Sequence, residues 1–347
     1  MNHLSSLAID TSEPGKIRVR PAQTTAGTVL EIAEKCLSEL QENMFGQEQF
    51  DLSILNSKSA DIRRFYAVRA RSENVDIVLK INLFNKQRDR FQREAMTQQR
   101  MYDQYLDVAN LHVPKVLYVS EKQPFFVMEY ARGSTVYGAL RNHILVEDED
   151  AVFYQAGQWL AKIHQLRATE NVSFAPNEAA RNLTVRLNGA EKAVSGIYMA
   201  DEFYGHHQKL MASRAEFEGR DNPVVLGHGD FHGDNLVFSN SGCTGLDFYN
   251  VRRLSAGLDI ARFLVHADFS QYEDPANIGE LGLVQSHQDA FFKGYGMVLD
   301  SDHVFTYFIR LRMLETWSKF PAQTQSTHVA QSSLDLMVQR VELAFRD

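Results

Sequence analysis

The sequence predicts an α+β protein with two lobes, a small β-rich N-terminal lobe followed by a larger, mainly helical C-terminal lobe. A single polar segment at 86–107, expected to be helical, interrupts the strands of the first lobe. From residue 151 onward apolar residues recur mainly at helical spacing, apart from a β-rich stretch at 224–248. We therefore expect an arm and helix at 1–49, an N-lobe at 50–130 and a C-lobe at 131–347.

The individual elements follow from local spacing. Seven apolar residues between 29 and 40 recur at helical spacing, so a helix is expected before the first strand. Five segments have strand-like sequences, separated by turn residues or by the helix: 50–55, 64–71, 75–82, 113–120 and 125–130. Six helices are expected in the C-lobe: 151–166, 201–216, 257–267, 285–295, 303–317 and 330–346. The region 168–200 has the least pattern and is interpreted as an insertion.

Size and composition indicate an ordinary globular protein. The chain has 347 residues, of which 44% are hydrophobic and 23% charged. Only two cysteines occur, Cys36 and Cys243, and no apolar run approaches the roughly 18 residues of a membrane helix. The N-terminus shows no secretory pattern. We therefore expect a cytoplasmic protein without a membrane partner.

The distribution of charge bears on the partners. A net charge of −8 argues against binding to nucleic acid. Residues 1–130 hold 17 basic and 17 acidic side chains, so all the excess negative charge falls in 131–347. An acidic C-lobe would attract a cationic small molecule, although solubility explains it equally well. The sequence carries no signal of oligomeric state.

The most informative stretch is 228–235, which reads HGDFHGDN, together with Asp247. A strand-like segment leads into it, and a hairpin with its turn at 240–242 is expected to bring Asn235 and Asp247 side by side. An amide oxygen and a carboxylate suit Mg²⁺, while Asp230 would orient a hydroxyl group or take its proton. These are the parts that a phosphoryl-transfer enzyme of the kinase type needs.

Lys80 ends the apolar segment 75–80, where an unpaired lysine would be costly. Glu94 lies on the following expected helix and could reach back to it. In protein kinases such a lysine–glutamate pair holds the lysine over the nucleotide phosphates. A surface lysine and an unrelated glutamate are the alternative, and the downstream motif favours the pair.

Two further segments are candidates for contacting a nucleotide. The strand at 125–130 runs into a linker through four residues whose backbone groups would hydrogen-bond an adenine edge: Met128, Glu129, Tyr130 and Ala131. The loop expected to cover the phosphates, 56–63, contains no glycine and matches neither glycine-rich phosphate-binding motif. Ser57 in that loop is a candidate phosphate contact.

The spacing H-G-D-x-H-x-x-N followed by D-F resembles the aminoglycoside phosphotransferase and choline kinase family, which is similar to protein kinases in fold. The resemblance extends to the helix start at 259–261, to the helical segment 159–164 and to Lys80 and Glu94, and it covers most of the chain. It implies a bilobal protein-kinase-like fold. It also implies ATP- and Mg²⁺-dependent transfer of a phosphoryl group to a hydroxyl of a small acceptor of the aminoglycoside, amino alcohol or sugar type.

The same resemblance implies roles for individual residues. Asp230 would be the catalytic base or the group that positions the hydroxyl. Asn235 and Asp247 would be Mg²⁺ ligands, Lys80 would contact the α- and β-phosphates, and Val237 would lie under the adenine.

Other positions would be structural or depart from protein kinases. By the resemblance, His228 and Asp259 would hold the catalytic loop by hydrogen bonds. Gly229 stands where protein kinases place an arginine that binds an activation-loop phosphate. The segment from Asp247 to Asp259 is too short for a regulated activation segment, so a constitutively active small-molecule kinase is expected.

Two alternatives stay open. A metal-dependent hydrolase would use an alternating His/Asp run and three more residues as ligands: His228, Asp230, His232, Asp234, Asp247, His266 and Asp268. That interpretation leaves Lys80, Glu94 and Asn235 without roles. The second alternative is a catalytically inactive pseudokinase that acts as a binding module, and only the glycine-free loop favours it.

Overall fold

The computed structural model describes residues 26–55, 65–82, 88–122, 124–141, 149–188, 196–269, 275–298, 303–321 and 328–346. These residues form two compact units. The first unit comprises the described residues up to Asp107 together with His112–Arg132. The second comprises Val108–Leu111 and the described residues from Gly133 onward.

The described elements follow one another in chain order. The strands are β1 (Asp51–Ile54), β2 (Phe65–Arg71), β3 (Asp76–Asn82), β4 (Leu111–His112), β5 (Val116–Val119), β6 (Phe125–Glu129), β7 (Ser134–Thr135), β8 (Glu170–Ser173), β9 (Asp221–Gly227), β10 (Leu236–Ser239), β11 (Gly242–Gly245) and β12 (Arg252–Ser255). The helices are α1 (Ala26–Leu40), α2 (Arg88–Tyr105), α3 (Val136–Arg141), α4 (Glu149–Gln165), α5 (Pro176–Ala179), α6 (Arg181–Asn188), α7 (Ala200–Ala212), α8 (Arg214–Phe217), α9 (Ala256–Asp268), α10 (Gln285–Tyr295), α11 (Val304–Trp317) and α12 (His328–Ala344). None of these helices is both long and apolar enough to cross a bilayer.

The first unit is built on one antiparallel sheet with the strand order β1–β2–β3–β6–β5. Successive side chains of a strand lie on opposite faces of the sheet. In β3, Ile77 and Leu79 pack in one hydrophobic cluster with α1, whereas Val78 packs with Phe91 of α2 in another. Lys80 lies two residues after Val78, so it is on the α2 face of the sheet.

The second unit combines two small sheets, β4–β11–β10–β7 and β12–β9–β8, with ten of the described helices. Helices α4 and α10 pack so closely that a Cβ at Gly157 would lie 2.1 Å from the carbonyl oxygen of Phe291. Helix α9 packs against both α11 and β9. Strand β9 and helix α9 together form the frame from which the motif at 228–235 extends.

The order of strands followed by helices confirms the predicted α+β class, but three local predictions are wrong. The region 168–200 is not a patternless insertion, because β8 pairs with β9 from Glu170 to Ser173. The helix expected at 201–216 is interrupted at Ser213. Strand β12 was not predicted, because its four residues begin with two exposed arginines and show no apolar alternation.

Candidate active site

Strand β9 leads directly into the loop at 228–235, and a glycine is required at its second position. Gly229 has φ +77°, a conformation that L side chains rarely adopt. A Cβ at this position would also lie 2.4 Å from the carbonyl oxygen of Asn250. The departure from the protein-kinase arginine therefore has a local steric cause in this chain.

Asp259, in the first turn of α9, anchors the start of the loop. Its Oδ2 accepts a hydrogen bond from the backbone N–H of His228 (2.7 Å), and its Oδ1 accepts one from Gly229 N (2.9 Å). His164 Nε2 lies 3.4 Å from Oδ2. Burial raises the pKa of this carboxyl, but the hydrogen bonds from His164 and Gly229 outweigh burial and leave the pKa below its ordinary value. A buried carboxylate thus holds the loop, as the resemblance implied.

His228 ties the loop to the neighbouring hairpin. Its Nε2 donates to the carbonyl oxygen of Leu246 (2.9 Å), and its Nδ1 accepts from the backbone N–H of Asp230 (3.3 Å). Complete burial lowers the pKa of the ring, which is therefore held neutral. Both ring nitrogens are occupied, so His228 does not serve as a metal ligand in this arrangement.

Asp230 is held on one side and open on the other. Its Oδ1 accepts from Nη1 of Arg262 (2.8 Å), and its backbone carbonyl accepts from Nδ2 of Asn235 (2.9 Å). Its Oδ2 accepts no hydrogen bond from a described residue, and His232 Nε2 is 3.8 Å away. With 38% of its side chain exposed, Asp230 can accept a hydrogen bond from a bound hydroxyl group.

Arg262 is the residue of this site that the sequence analysis missed. Its guanidinium also donates to the carbonyl oxygen of Gly229. A signal was available, because Arg262 follows Asp259 by three residues on a helix, and such residues share a face. Helix α9 therefore supplies a carboxylate that binds the backbone of residues 228–229 and a guanidinium group that contacts residues 229–230.

Asn235 and Asp247 lie at the open end of the β10–β11 hairpin, just before β10 begins and just after β11 ends. The ladder of the hairpin continues one step beyond Leu236 and Gly245, since Leu246 N donates to Asn235 O (2.9 Å). The β-rich stretch was expected to extend to residue 248, and this bound is wrong, because β11 ends at Gly245 and Asp247 has a left-handed backbone (φ 64°, ψ 71°). Such a conformation in a residue other than glycine is strained and is concentrated at functional sites.

The donors at this position have the chemistry that a hard cation needs. Asn235 Nδ2 donates a hydrogen bond to Asp230 O, and it lies 3.2 Å from His232 Nε2. Its Oδ1 accepts no hydrogen bond within the part of the chain that the structure describes. One amide oxygen from Asn235 and a half-buried carboxylate from Asp247 fit a site for Mg²⁺.

In the first unit, the predicted pair of Lys80 and Glu94 is confirmed. Lys80 Nζ contacts Glu94 Oε1, and the two residues are 8% and 2% exposed. Strand alternation places Lys80 toward α2, where Glu94 lies, so the pair follows from the packing of the sheet. Met128 is on the same face and accepts a hydrogen bond at Sδ from Gln98 Nε2 (2.9 Å).

The end of β6 has fewer free backbone donors than expected. The N–H of Glu129 donates to Lys115 O (3.0 Å), and the N–H of Tyr130 donates to Asp76 O (3.3 Å). Among described residues, none accepts from the N–H of Ala131. Ala131 is therefore the candidate donor to an adenine edge in this segment.

Two predicted nucleotide contacts remain, Val237 and Ser57. Val237 is buried in the middle of β10, paired with Thr135 of β7 and Thr244 of β11. Ser57 lies outside the described residues. The structure thus brings Asp230 and Asn235 together in the second unit.

Part of the run proposed for a hydrolase does come together. Side-chain ligand atoms of His232, Asp234 and His266 lie within 4.8 Å of one another. Asp268 is not with them, because it accepts from Arg340 (2.7 Å) and contacts His287 Nδ1 (2.9 Å) in the core. The seven-residue ligand set of the hydrolase alternative is therefore not assembled.

Residues 57–284 match the model of a family described as "Phosphotransferase enzyme family". The match covers more than half of the chain and includes the whole motif at 228–235 and Asp247. A search of curated proteins found no match.

Solved structures with the same fold span nearly the whole chain. A choline/ethanolamine kinase family protein from Mesorhizobium loti has a TM-score of 0.56 and 13% identity over 91% of this chain and 95% of its own. An aminopropanol kinase associated with a microcompartment has a TM-score of 0.55 and 14% identity over 91% and 96%. Amicoumacin kinase, in complex with AMP-PNP, Ca²⁺ and amicoumacin, has a TM-score of 0.54 and 16% identity over 92% and 96%. At such low identity these likenesses show the fold, and they confirm the predicted kinase-like architecture.

Proposed function

Because this chain belongs to the phosphotransferase enzyme family, we propose that it transfers the γ-phosphoryl group of ATP to a hydroxyl group of a small metabolite, with Mg²⁺ as the metal. The chain is an enzyme of the phosphotransferase class, as the sequence predicted. The proposal concerns the donor, the metal and the kind of acceptor. A free hydroxylated molecule, and not a nucleic acid or a membrane, is the proposed partner.

The observation that carries the proposal is the setting of Asp230. Arg262 holds Oδ1 and Asn235 holds the backbone carbonyl, so the carboxylate has one oriented oxygen left for a hydroxyl donor. A side chain that positions an attacking hydroxyl and accepts its proton is the main protein contribution to phosphoryl transfer, besides the neutralisation of charge.

The proposed nucleotide contacts in the first unit are Lys80 and Ala131. Glu94 orients the ammonium group of Lys80, which is proposed to bind the α- and β-phosphates. The N–H of Ala131, which donates to no described residue, is proposed to donate to the adenine. Amicoumacin kinase, which shares this fold, is described with the ATP analogue AMP-PNP, and this supports ATP as the donor.

Asn235 and Asp247 are the proposed Mg²⁺ ligands. Their oxygens fit the cation, and the hydrogen bond from Asn235 Nδ2 to Asp230 O fixes which atom of the amide is available. The metal would neutralise charge on the phosphates when bound. Asn235 would then link the metal position to the backbone of the residue that positions the acceptor.

The first test is Asp230→Asn, which keeps the shape of the side chain and removes its charge. Phosphorylation of hydroxylated metabolites by labelled ATP is expected to fall by roughly 10²- to 10⁴-fold, while ATP affinity measured by calorimetry stays near wild type. Asp201→Asn, at an exposed position in α7, serves as the matched control. Undiminished turnover by Asp230→Asn would remove the assigned role.

The second test is Asp247→Ala. Nucleotide affinity in the presence of Mg²⁺ is expected to fall to the affinity measured with EDTA, because a metal ligand is lost. A variant whose affinity still rises with Mg²⁺ as in the wild type would contradict the ligand assignment. Turnover that requires a transition metal and no nucleotide would favour the hydrolase, and nucleotide binding without turnover would favour the pseudokinase.

We also propose that the enzyme acts in the cytoplasm. Cys36 and Cys243 are both free and buried, which is compatible with a reducing compartment.

A further inference from the structure

Three side chains beside the catalytic loop have no role in the proposed reaction. Ligand atoms of His232, Asp234 and His266 lie within 4.8 Å of one another. The first two belong to the loop at 228–235, and the third belongs to α9. Two imidazoles and a carboxylate that converge in this way form a candidate set of metal ligands.

One face of α9 brings the cluster together. Asp259 and Arg262 on this face hold the first three residues of the loop. His266 follows Arg262 by four residues, so it lies on the same face. Its ring centroid is 4.9 Å from that of His232, and its Nε2 is 3.9 Å from Asp234 Oδ2. The helix face that anchors the loop therefore also supplies the third candidate ligand.

Helix α3 supports the cluster from a second side. It packs against both α9 and the 3₁₀ turn at Gly233–Asn235. The ring of Tyr137, in α3, lies 5.0 Å from the ring of His266. A Cβ at Gly233 would lie 3.1 Å from the backbone nitrogen of Tyr137. The backbone between the two loop ligands is therefore held by packing, which lowers the ordering cost of binding an ion.

The spacing of the pair formed by Asp234 and His266 is close to that of two ligands on one ion. Their 3.9 Å separation is longer than the roughly 2.7–3.2 Å of a hydrogen bond. Two ligands of a tetrahedral ion with bonds of about 2.1 Å lie roughly 3.4 Å apart. A side-chain movement of about half an ångström would give this spacing. The two side chains are 39% and 30% exposed, so an ion can reach them.

His232 can join this pair through its Nδ1. That nitrogen lies on the side of Asp234, whose backbone N–H donates to it at 3.2 Å. The Nε2 of His232 lies on the other side of the ring, 3.2 Å from Asn235 Nδ2 and 3.8 Å from Asp230 Oδ2. A metal at Nδ1 would replace the hydrogen bond from Asp234 N and leave the Nε2–H beside a carboxylate. Histidines that bind metals commonly donate their second N–H to such a group.

The donor set selects a different ion from Mg²⁺. Imidazole nitrogen suits Zn²⁺ and neighbouring transition metals, whereas Mg²⁺ prefers oxygen. The proposed Mg²⁺ ligands, Asn235 and Asp247, offer only oxygen atoms. Three protein ligands would leave the fourth position of a tetrahedral ion open to water.

We propose that His232, Asp234 and His266 form a second metal site, which binds Zn²⁺ or a similar transition-metal ion and links the loop at 228–235 to α9. This inference goes beyond the proposed function and does not depend on the phosphoryl donor or the acceptor. An ion that binds only the folded arrangement also stabilises it.

The test uses the full-length, untagged protein, freed of metal by a chelator and then dialysed into buffer with excess Mg²⁺. Calorimetry is expected to show one equivalent of Zn²⁺ bound with a Kd on the order of 1 µM or tighter. Zn²⁺ should also raise the Tm, because it binds the folded state. Co²⁺ serves as a coloured probe and is expected to show the visible absorption of a four-coordinate ion.

Variants then locate the ion. His266→Gln and Asp234→Asn should each weaken Zn²⁺ binding by roughly 10-fold or more, because each removes one ligand, and either one covers the case in which the other does not fold. His266→Gln should keep the nucleotide affinity that the wild type has with Mg²⁺. His112→Gln, in the first unit, is the matched control and should bind Zn²⁺ like the wild type. Asp247→Ala should also retain Zn²⁺ binding, because it alters only the proposed Mg²⁺ position.

Each result decides the inference. A wild type that binds neither Zn²⁺ nor Co²⁺, or from which excess Mg²⁺ displaces Zn²⁺, overturns it. Binding that His266→Gln and Asp234→Asn both leave intact, or that Asp247→Ala abolishes, overturns it as well. Binding that either ligand variant weakens and His112→Gln does not supports the site, whether or not the protein phosphorylates any acceptor.

Discussion

The hydrogen bonds of Asp259 to the loop at 228–235 lead to a prediction with a calculable magnitude. Asp259→Asn keeps the size of the side chain but replaces one carboxylate oxygen by an amide NH₂. In the wild type the two oxygens accept from His228 N at 2.7 Å and from Gly229 N at 2.9 Å, at a position that is 1% exposed. In the variant one of these N–H groups faces another donor.

The magnitude follows from the two hydrogen bonds. A hydrogen bond to a charged acceptor contributes about 1.5–3 kcal/mol, and a neutral one contributes about 1 kcal/mol. Losing one bond and weakening the other should lower the free energy of unfolding by roughly 2–4 kcal/mol. For a unit of this size that corresponds to a decrease in Tm on the order of 10 °C.

Tryptophan fluorescence provides the assay, because both tryptophans, Trp159 and Trp317, are buried in the second unit. Urea unfolding followed by this signal reports on the unit that contains Asp259. Asp221→Asn, at an exposed position on β9, is the matched control and should change the free energy of unfolding by less than about 0.5 kcal/mol.

The pH dependence has a defined sign. The pKa of Asp259 is lowered from 3.8, so its stabilising effect is complete above that pH and is lost as the pH falls through the lower value in the folded state. The difference in free energy of unfolding between wild type and Asp259→Asn should therefore be constant from pH 8 to pH 5. A difference below about 1 kcal/mol, or one that matches Asp221→Asn, would refute the anchoring role.

Two further predictions concern the same unit. A Cβ at Gly245 would lie 2.0 Å from the ring of Trp159, so Gly245→Ala should cost at least about 1–3 kcal/mol and shift the tryptophan emission; an unchanged spectrum and stability would contradict this packing. Burial alone would lower the pKa of His287, but its hydrogen bond with Asp268 and the charge of Glu149 raise it above 6.5. The stabilisation by protonated His287 is therefore complete below pH 6.5 and is lost as the pH rises through the raised pKa. In urea unfolding, the wild type should therefore exceed His287→Gln in free energy of unfolding by more at pH 6 than at pH 8.5. An advantage independent of pH would show that protonation of His287 is not involved.

Local pattern was sufficient for much of the fold because the relevant interactions are local. The strands β2, β3 and β6 lie within the segments expected from periodicity, and α1 contains all seven apolar residues that predicted a helix. The pair of Lys80 and Glu94 was predictable because a charged residue in a buried strand requires a partner. The chemistry of Asp230 could be inferred from its motif, although its hydrogen-bond partners could not.

Sequence alone therefore determined the fold class, the phosphotransferase motif and the pairing of Lys80 with Glu94. Only the tertiary structure decided that Arg262 contacts Asp230 and that Asp247 has a left-handed backbone. Periodicity describes which face of a helix or strand is buried, and it contains no information on which helix that face meets. The ion pair of Asp230 with Arg262 depends on how α9 packs against β9, and this contact joins residues that are 32 positions apart in the chain.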